Sequence, residues 1–256
     1  MIITKLRGGL GNQMFQYAFG RTEALRLKTR LILDASWYRK ADRSFMLDEL
    51  TPAYGARISN RLLACAARML MPRSRYYEGF WEDKAYALSL KKILTEEFAL
   101  KQPSKRFQEL SAAIPRGSIA VHVRRGDYLD TPDKCVLGYA YYDVAVRRII
   151  ETKKLADPRI MIFSDDTEWC RQEMKSLGGL PAETFDDQGV SDAEELILMS
   201  RYSHNVIANS TFSWWAAFLN PNAGAMVAVP QTWYVNPARN AQTLSALILP
   251  EWTVIQ

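Results

Sequence analysis

Several features are scarce in this 256-residue chain, and each scarcity removes a reading. There are three cysteines, Cys65, Cys135 and Cys170, far apart and without C-x-x-C spacing. An odd, scattered set is no disulfide framework and reads as free thiols in a reducing compartment. Only two histidines occur, His122 and His204, so a zinc site of the usual ligand spacing is not expected. No apolar run is long enough to span a bilayer; the longest, residues 62–71, is interrupted by Arg68. No repeat or low-complexity linker occurs, and the N-terminus runs straight into a strand pattern with no signal-peptide features. Charge is nearly balanced, 33 Lys+Arg against 28 Asp+Glu, for a net of +5. That mild excess suits a phosphorylated ligand or an anionic membrane surface and does not require nucleic acid.

What is present is an ordinary soluble composition, 48% hydrophobic and 24% charged, at a length for one large domain or two small ones. Arg57, Arg61, Arg68, Arg73 and Arg75 surround the 62–71 run. Two readings stay open there: a core-packed helix with solvated arginines, or a basic amphipathic helix lying on a membrane surface.

The first forty residues read as strand (2–6), glycine-rich loop (7–13), helix (14–27) and strand (30–34). Residues 44–110 read as mostly helical. From residue 118 the pattern becomes regular. Strands are expected over 119–124, 159–163, 205–208 and 225–229. Helices are expected over 141–154, from residue 167 to 177, over 192–200 and over 213–219. Ser191-Asp-Ala-Glu194 is a capping box for the 192–200 helix. Strands and helices in this rhythm predict a parallel sheet. The domain boundary is expected near Pro103–Pro115 and is drawn between residues 112 and 113.

Four constellations carry the chemistry. Ile119, Val121 and Val123 share one face of a strand, while His122 and Arg124 share the other. Arg125, Gly126 and Asp127 follow in a tight turn. Buried charge is costly unless paired, and ligands of open α/β sheets sit at this end of the strands, so an anion is expected here. Arg124 can grip phosphate with its fork of donors; Arg125 is expected on the opposite face, pairing with a carboxylate. A purely structural salt-bridge network is the alternative.

The second constellation is the loop with Gly8, Gly9 and Gly11, whose N–H groups can cradle phosphate. Gly9-Leu-Gly11 begins a dinucleotide fingerprint that Met14 leaves incomplete, with Asp34 where a ribose-binding acid would sit. An NAD-dependent Rossmann oxidoreductase is therefore the alternative function, and a plain tight turn the bland one. The third is Ser164-Asp165-Asp166. One acid caps the next helix, leaving the other to accept hydrogen bonds from a purine edge. The fourth is Asn209-Ser-Thr-Phe-Ser-Trp-Trp215, where hydroxyls crowd a helix N-terminus, an anion site by dipole and free N–H groups.

Together these segments resemble glycosyltransferase family 11, the α-1,2-fucosyltransferases. The residues that carry the resemblance are Gly8-Gly-Leu-Gly-Asn-Gln-Met-Phe-Gln-Tyr-Ala18, His122-Val-Arg-Arg-Gly-Asp-Tyr128, Phe163-Ser-Asp-Asp166 and Asn209-Ser-Thr-Phe-Ser-Trp-Trp-Ala216. The resemblance implies an α/β, GT-B-like fold: two Rossmann-like parallel-sheet domains facing a cleft. Residues 1–112 would form the acceptor side with the Gly-rich loop, and residues 113–256 the GDP-fucose-binding domain. It implies GDP-fucose as donor and a galactose-terminated glycan as acceptor, in a surface polysaccharide such as O-antigen or in an oligosaccharide. Arg124 would hold the β-phosphate. His122, Asp165 and Asp166 would hold guanosine. Gly9 and Gly11 would belong to the donor site, with Asn12 near the fucose and distal phosphate. Ser210, Thr211 and Ser213 would complete the phosphate pocket.

The chemistry agrees. Departure of a nucleoside diphosphate builds negative charge that a metal or fixed cations and N–H dipoles must meet. The D-x-D triplet common in metal-dependent sugar-nucleotide transferases does not occur here, so no metal is expected and Arg124 takes that part. Asp127 is the nearest carboxylate for the acceptor proton and equally could orient Arg124; both roles stay open. The expected setting is cytoplasmic, peripheral at the inner face of the cell membrane.

Overall fold

A computed structural model describes residues 1–60, 63, 75–186 and 189–256. The 62–71 helix reading falls almost wholly outside the described residues, and Cys65 lies outside them. The chain divides into two compact units, Met1–Gln102 and Pro103–Gln256.

The first unit is built on a parallel sheet of β1 (Ile2–Lys5), β2 (Leu31–Asp34), β3 (Ala56–Ile58) and β4 (Arg75–Tyr77), in the order β3-β2-β1-β4. Ile2 and Ile3 are fully buried at its centre, as a parallel strand covered on both faces requires. Helix α1 (Leu10–Arg26) lays Leu10, Met14, Phe15, Tyr17 and Ala18 into the core. It begins at Leu10, four residues before the expected start, because Gly9 is extended (φ −73°, ψ 177°) and serves as N-cap. Gly11 and Asn12 are therefore first-turn helical residues, and the loop is only Leu6–Gly9. Gly8 sits at φ +82°, in the left-handed region that glycine adopts without strain.

The 44–110 stretch differs from expectation. It holds helices α2 (Lys84–Ser89) and α3 (Lys91–Glu97), yet also β3 and β4. Each of those strands is three residues long at a sheet edge, too short to display an alternation. Helix α4 (Lys105–Ala112) packs on the second unit, and the Ser104 N–H donates to Glu194 Oε1 at 2.5 Å. That tie is why the division falls after Gln102 and not after residue 112.

The second unit has a seven-stranded sheet in the order β11-β10-β9-β5-β6-β8-β7. Its strands are β5 (Ile119–Val123), β6 (Ile160–Ser164), β7 (Ser176–Leu177), β8 (Leu180–Thr184), β9 (His204–Val206), β10 (Val227–Pro230) and β11 (Thr253–Ile255). Every pair is parallel except the β7–β8 hairpin. Helix α5 (Tyr139–Lys153) buries Tyr142, Ala145, Val146 and Ile149 against Val121, Ile160 and Ile162. Helix α6 (Thr167–Glu173) stops short of residue 177, which already belongs to the hairpin that begins at Ser176. Helix α7 (Asp192–Ser200) carries the capping box as read: Ser191 Oγ accepts from the Glu194 N–H and Glu194 accepts from the Ser191 N–H. Helix α8 (Thr211–Phe218) buries Trp214 and Trp215 completely, with Trp214 Nε1 donating to Leu247 O of helix α9 (Pro237–Leu247) at 2.8 Å. Both tryptophans are core residues. Among the described residues no helix is long and apolar enough to cross a membrane.

Candidate active site

Strand β5 lies between β6 on one side and β9 on the other, so connections leave it in both directions. At such a switch point the loops after neighbouring strands part and leave a crevice at the carboxyl ends. The loop after β5 supplies Arg124, Arg125 and Asp127. The loop after β9 supplies Asn209 and Ser210, and the β6 end supplies Asp165 and Asp166. Three segments distant in sequence therefore converge by topology.

Arg124 is held by two carboxylates. Its Nη2 lies 2.5 Å from Asp127 Oδ1 and its Nη1 lies 3.1 Å from Asp165 Oδ2. The guanidinium carbon stands 5.5 Å from the Tyr128 ring centroid. Asp127 thus orients Arg124 in this structure. Arg125 turns the other way, as expected: its Nε meets Asp166 Oδ2 at 3.1 Å and its guanidinium carbon lies 4.0 Å from the Trp169 ring centroid. Asp166 also caps α6 through the Trp169 N–H. Asp165 Oδ1 accepts the Arg125 N–H at 2.9 Å. Neither acid is spare, which corrects the reading that capping would leave one of them unengaged. A Cβ on Gly126 would stand against Asp165 Oδ2, so a larger residue there would displace the carboxylate that holds Arg124.

His122 is buried, 5.6 Å from the Phe212 ring centroid, with its Nδ1 unpartnered. Burial first, and the Arg124 charge second, hold its pKa down to about 3, so the imidazole is neutral at physiological pH. Asn209 is fully buried. Its Nδ2 donates to Cys135 O (2.8 Å) and Trp233 O (3.0 Å), and its backbone carbonyl accepts from Tyr128 OH (2.9 Å). Ser210 is the N-cap of α8, accepting from the Phe212 N–H, and Ser213 Oγ donates to Ser210 O. The crowd of hydroxyls is therefore partly structural. Thr211 opens the helix.

Eight buried side-chain polar atoms among the described residues have no hydrogen-bond partner. Three of them, His122 Nδ1, Arg124 Nε and Asn209 Oδ1, belong to this one place. Buried polar atoms are nearly always satisfied, so a cluster of orphans marks where something polar binds.

The sequence reading missed Glu195. It lies on the first turns of α7, half-buried, and its pKa is raised to about 7 by burial, then by Asp192 and Asp165. Among the described residues no ion pair to its carboxylate is present, and the charges that shift it are acids alone. A signal existed in the sequence: Asp192, Glu194 and Glu195 crowd one helix start, and the capping box uses only Glu194.

Gly9, Gly11 and Asn12 stand in the first unit, at the carboxyl end of its own sheet. Gln13 Oε1 accepts from the Met46 and Leu47 N–H groups while its Nε2 donates to Gly8 O and Ser44 O, tying the Gly-rich loop to the 44–47 segment. Asp34 is buried and occupied by Tyr76 OH (2.6 Å) and the Ser36 N–H (2.9 Å). That carboxylate is structural, and the dinucleotide alternative loses its ribose ligand.

Two α/β units on parallel sheets, one with an arginine-centred switch point, define a GT-B-like glycosyltransferase. The chain belongs to glycosyl transferase family 11, whose match spans residues 37–256. The Gly-rich segment lies outside that match. The chain is 30% identical to an α-1,2-colitosyltransferase of Escherichia coli, over 94% of this chain and 95% of that one. It is 27% identical to a galactoside 2-α-L-fucosyltransferase, Sec1, of Mus musculus, over 100% of this chain and 74% of that one. In structure it is similar to an Arabidopsis thaliana FUT1 variant in complex with GDP, with a TM-score of 0.52 and 11% identity over 89% of this chain and 70% of that one.

Proposed function

We propose that this glycosyltransferase moves L-fucose from GDP-β-L-fucose to the 2-hydroxyl of a galactose residue in a glycan, with inversion at the anomeric carbon. The observation that carries the reading is Arg124, buttressed by Asp127 and Asp165 at the switch point beside the start of α8. The galactoside fucosyl relative and the α-1,2 linkage in both relatives' names support product and acceptor.

In the step itself the acceptor oxygen attacks the anomeric carbon from the face opposite the diphosphate. The new C–O bond forms as the sugar–phosphate bond breaks, the acceptor proton passes to a base, and GDP leaves with the electron pair. Arg124 and the positive end of the α8 dipole meet the charge that grows on the departing β-phosphate. Two carboxylates fix the guanidinium plane and leave its other N–H groups for phosphate. Ser210, Thr211 and Ser213 line that helix start. Neutral His122 lies at the guanosine side. Glu195 adds a carboxylate that can accept the two N–H groups of a guanine edge, since Asp165 and Asp166 are committed to Arg124 and Arg125. No metal takes part in this scheme. A cytoplasmic setting is part of the same proposal and rests on the scattered cysteines. Contact with a membrane surface has no support among the described residues.

Donor choice is tested by ligand-induced melting shifts. GDP and GDP-fucose should raise Tm by mass action, and UDP and NAD far less. Equal stabilisation by UDP would remove the guanine assignment. The E. coli relative's name makes a 1,2-linked sugar other than fucose the second reading. Product analysis separates the two: with GDP-fucose and a β-galactoside in EDTA, proton NMR should show an α-1,2-linked fucose. Retained β-configuration, or activity that returns only with added magnesium or manganese, contradicts the scheme.

A further inference from the structure

We infer that Tyr128 is a positioning residue for the transfer step. Its ring holds the face of the Arg124 guanidinium and its hydroxyl fixes the start of α8, so that cation and helix end meet the departing phosphate together. The inference rests on the transferase reading above and adds a residue that acts through Arg124.

The backbone comes first. The turn after β5 closes on itself: the Tyr128 and Leu129 N–H groups donate to Arg125 O at 2.8 and 3.0 Å, and Thr131 Oγ1 donates to Asp127 O at 2.7 Å. These bonds shape the turn but do not locate α8, which begins after β9. Two further bonds make that link, both at Asn209, the residue before the Ser210 N-cap. Tyr128 OH donates to the Asn209 backbone carbonyl at 2.9 Å, across 81 positions of sequence. Asn209 Nδ2 donates to Cys135 O at 2.8 Å, at the far end of the same loop. The Tyr128 hydroxyl therefore sets the distance between the turn that carries Arg124 and the helix end beside it.

The ring comes second. Asp127 and Asp165 meet the Arg124 guanidinium through its terminal nitrogens. Contacts to those nitrogens leave tilting of the plane unopposed. The Tyr128 ring opposes it, with the guanidinium carbon over the ring 5.5 Å from its centroid, within reach of cation–π attraction. Lys134 Nζ lies 4.9 Å from the same centroid and donates to Tyr234 OH at 2.9 Å, which braces the ring against the loop after β10. Burial raises the Tyr128 pKa against the pull of Lys134 and Arg124, so the hydroxyl stays a donor at physiological pH. A preorganised cation stabilises growing charge only if it is already in place, and displacements on the order of 1 Å are felt in rate.

The test is a double-mutant cycle on kcat, counted per GDP-binding site by calorimetric titration, with Tm measured beside it. Tyr128→Phe keeps the ring and loses the bond to Asn209 O; kcat should fall about tenfold, with GDP affinity within about threefold of wild type. Tyr128→Leu loses the ring as well and should fall about thirtyfold, so phenylalanine rescues part of the loss. In an Arg124→Ala background Tyr128→Phe should change kcat by less than about twofold, because the residue acts through the arginine. A lowered Tm with wild-type kcat per site in Tyr128→Phe would make the tyrosine a structural staple and overturn the inference. So would a tenfold loss that persists in full beside Arg124→Ala. Lys134→Met leaves the hydroxyl in place and removes the brace. Should Tyr128→Phe not fold, its loss of about threefold carries the same cycle, and wild-type kcat there overturns the inference. A wild-type chain with neither GDP response nor fucosyl transfer removes the transferase reading and this inference with it. Transfer by wild type that Tyr128→Phe leaves unchanged removes this inference alone.

Discussion

Arg124→Lys and Arg124→Ala should both lose kcat by roughly a hundred- to a thousandfold, about 3–4 kcal/mol of transition-state stabilisation, the scale seen when one preorganised donor is removed. The charge on the departing diphosphate is larger in the transition state than in bound donor, so kcat should fall and KM should not carry the effect alone. Lysine keeps the charge but cannot contact Asp127 and Asp165 through two separate nitrogens while presenting further N–H groups to phosphate. The control is Arg125→Lys. Arg125 pairs with Asp166 and covers Trp169, so its change should lower Tm more than it lowers turnover. Near-wild-type kcat in either Arg124 variant, in protein with unchanged Tm, would place the phosphate elsewhere.

Glu195→Gln should cost about a hundredfold in GDP affinity, about 3 kcal/mol, because hydrogen bonds to a charged acceptor are worth roughly 1.5–3 kcal/mol each. An amide can accept one guanine N–H but presents its own N–H to the other. The wild-type carboxylate titrates near 7, raised by burial and by Asp192 and Asp165. GDP affinity should therefore rise between about pH 6 and 8 in the wild type by more than in Glu195→Gln. The terminal phosphate of GDP itself titrates near pH 6, so the difference between the two proteins is the measurement. Stability should run the opposite way. The folded protein holds the Glu195 proton more tightly than the unfolded chain, so wild-type stability falls as pH rises from the unfolded value near 4.5 through about 7. Glu195→Gln lacks that loss, and its Tm should gain on wild type across the same window. Parallel pH profiles for both proteins would remove Glu195 from the donor site.

How much of this was readable in the chain depends on the distance over which each feature is determined. The strand at Ile119–Val123, the capping box at Ser191–Glu194 and the helix after Ser210 were legible because period, cap and hydroxyl cluster are local. The family resemblance was legible for the same reason, since its motifs are short runs. The three-residue strands Ala56–Ile58 and Arg75–Tyr77 were not, because an edge strand that short exists only through its pairing with β1 and β2.

Arg125 could be assigned to a carboxylate from strand alternation alone, but which carboxylate was a matter of the β5–β6 register, which sets His122 beside Phe163 and Val123 beside Ser164. The same register brings Asp165 to Arg124, so the acid that looked unengaged in sequence is engaged in the fold. Glu195 gained its meaning only from tertiary structure. In sequence it is one of three acids at a helix start; in the fold, burial without a cation and two neighbouring acids raise its pKa. Residue types, periods and motif order are properties of the chain. The partner of each charge, and hence its ionisation, is decided by which strands lie side by side, because Coulomb and desolvation energies depend on separations that only the folded sheet sets.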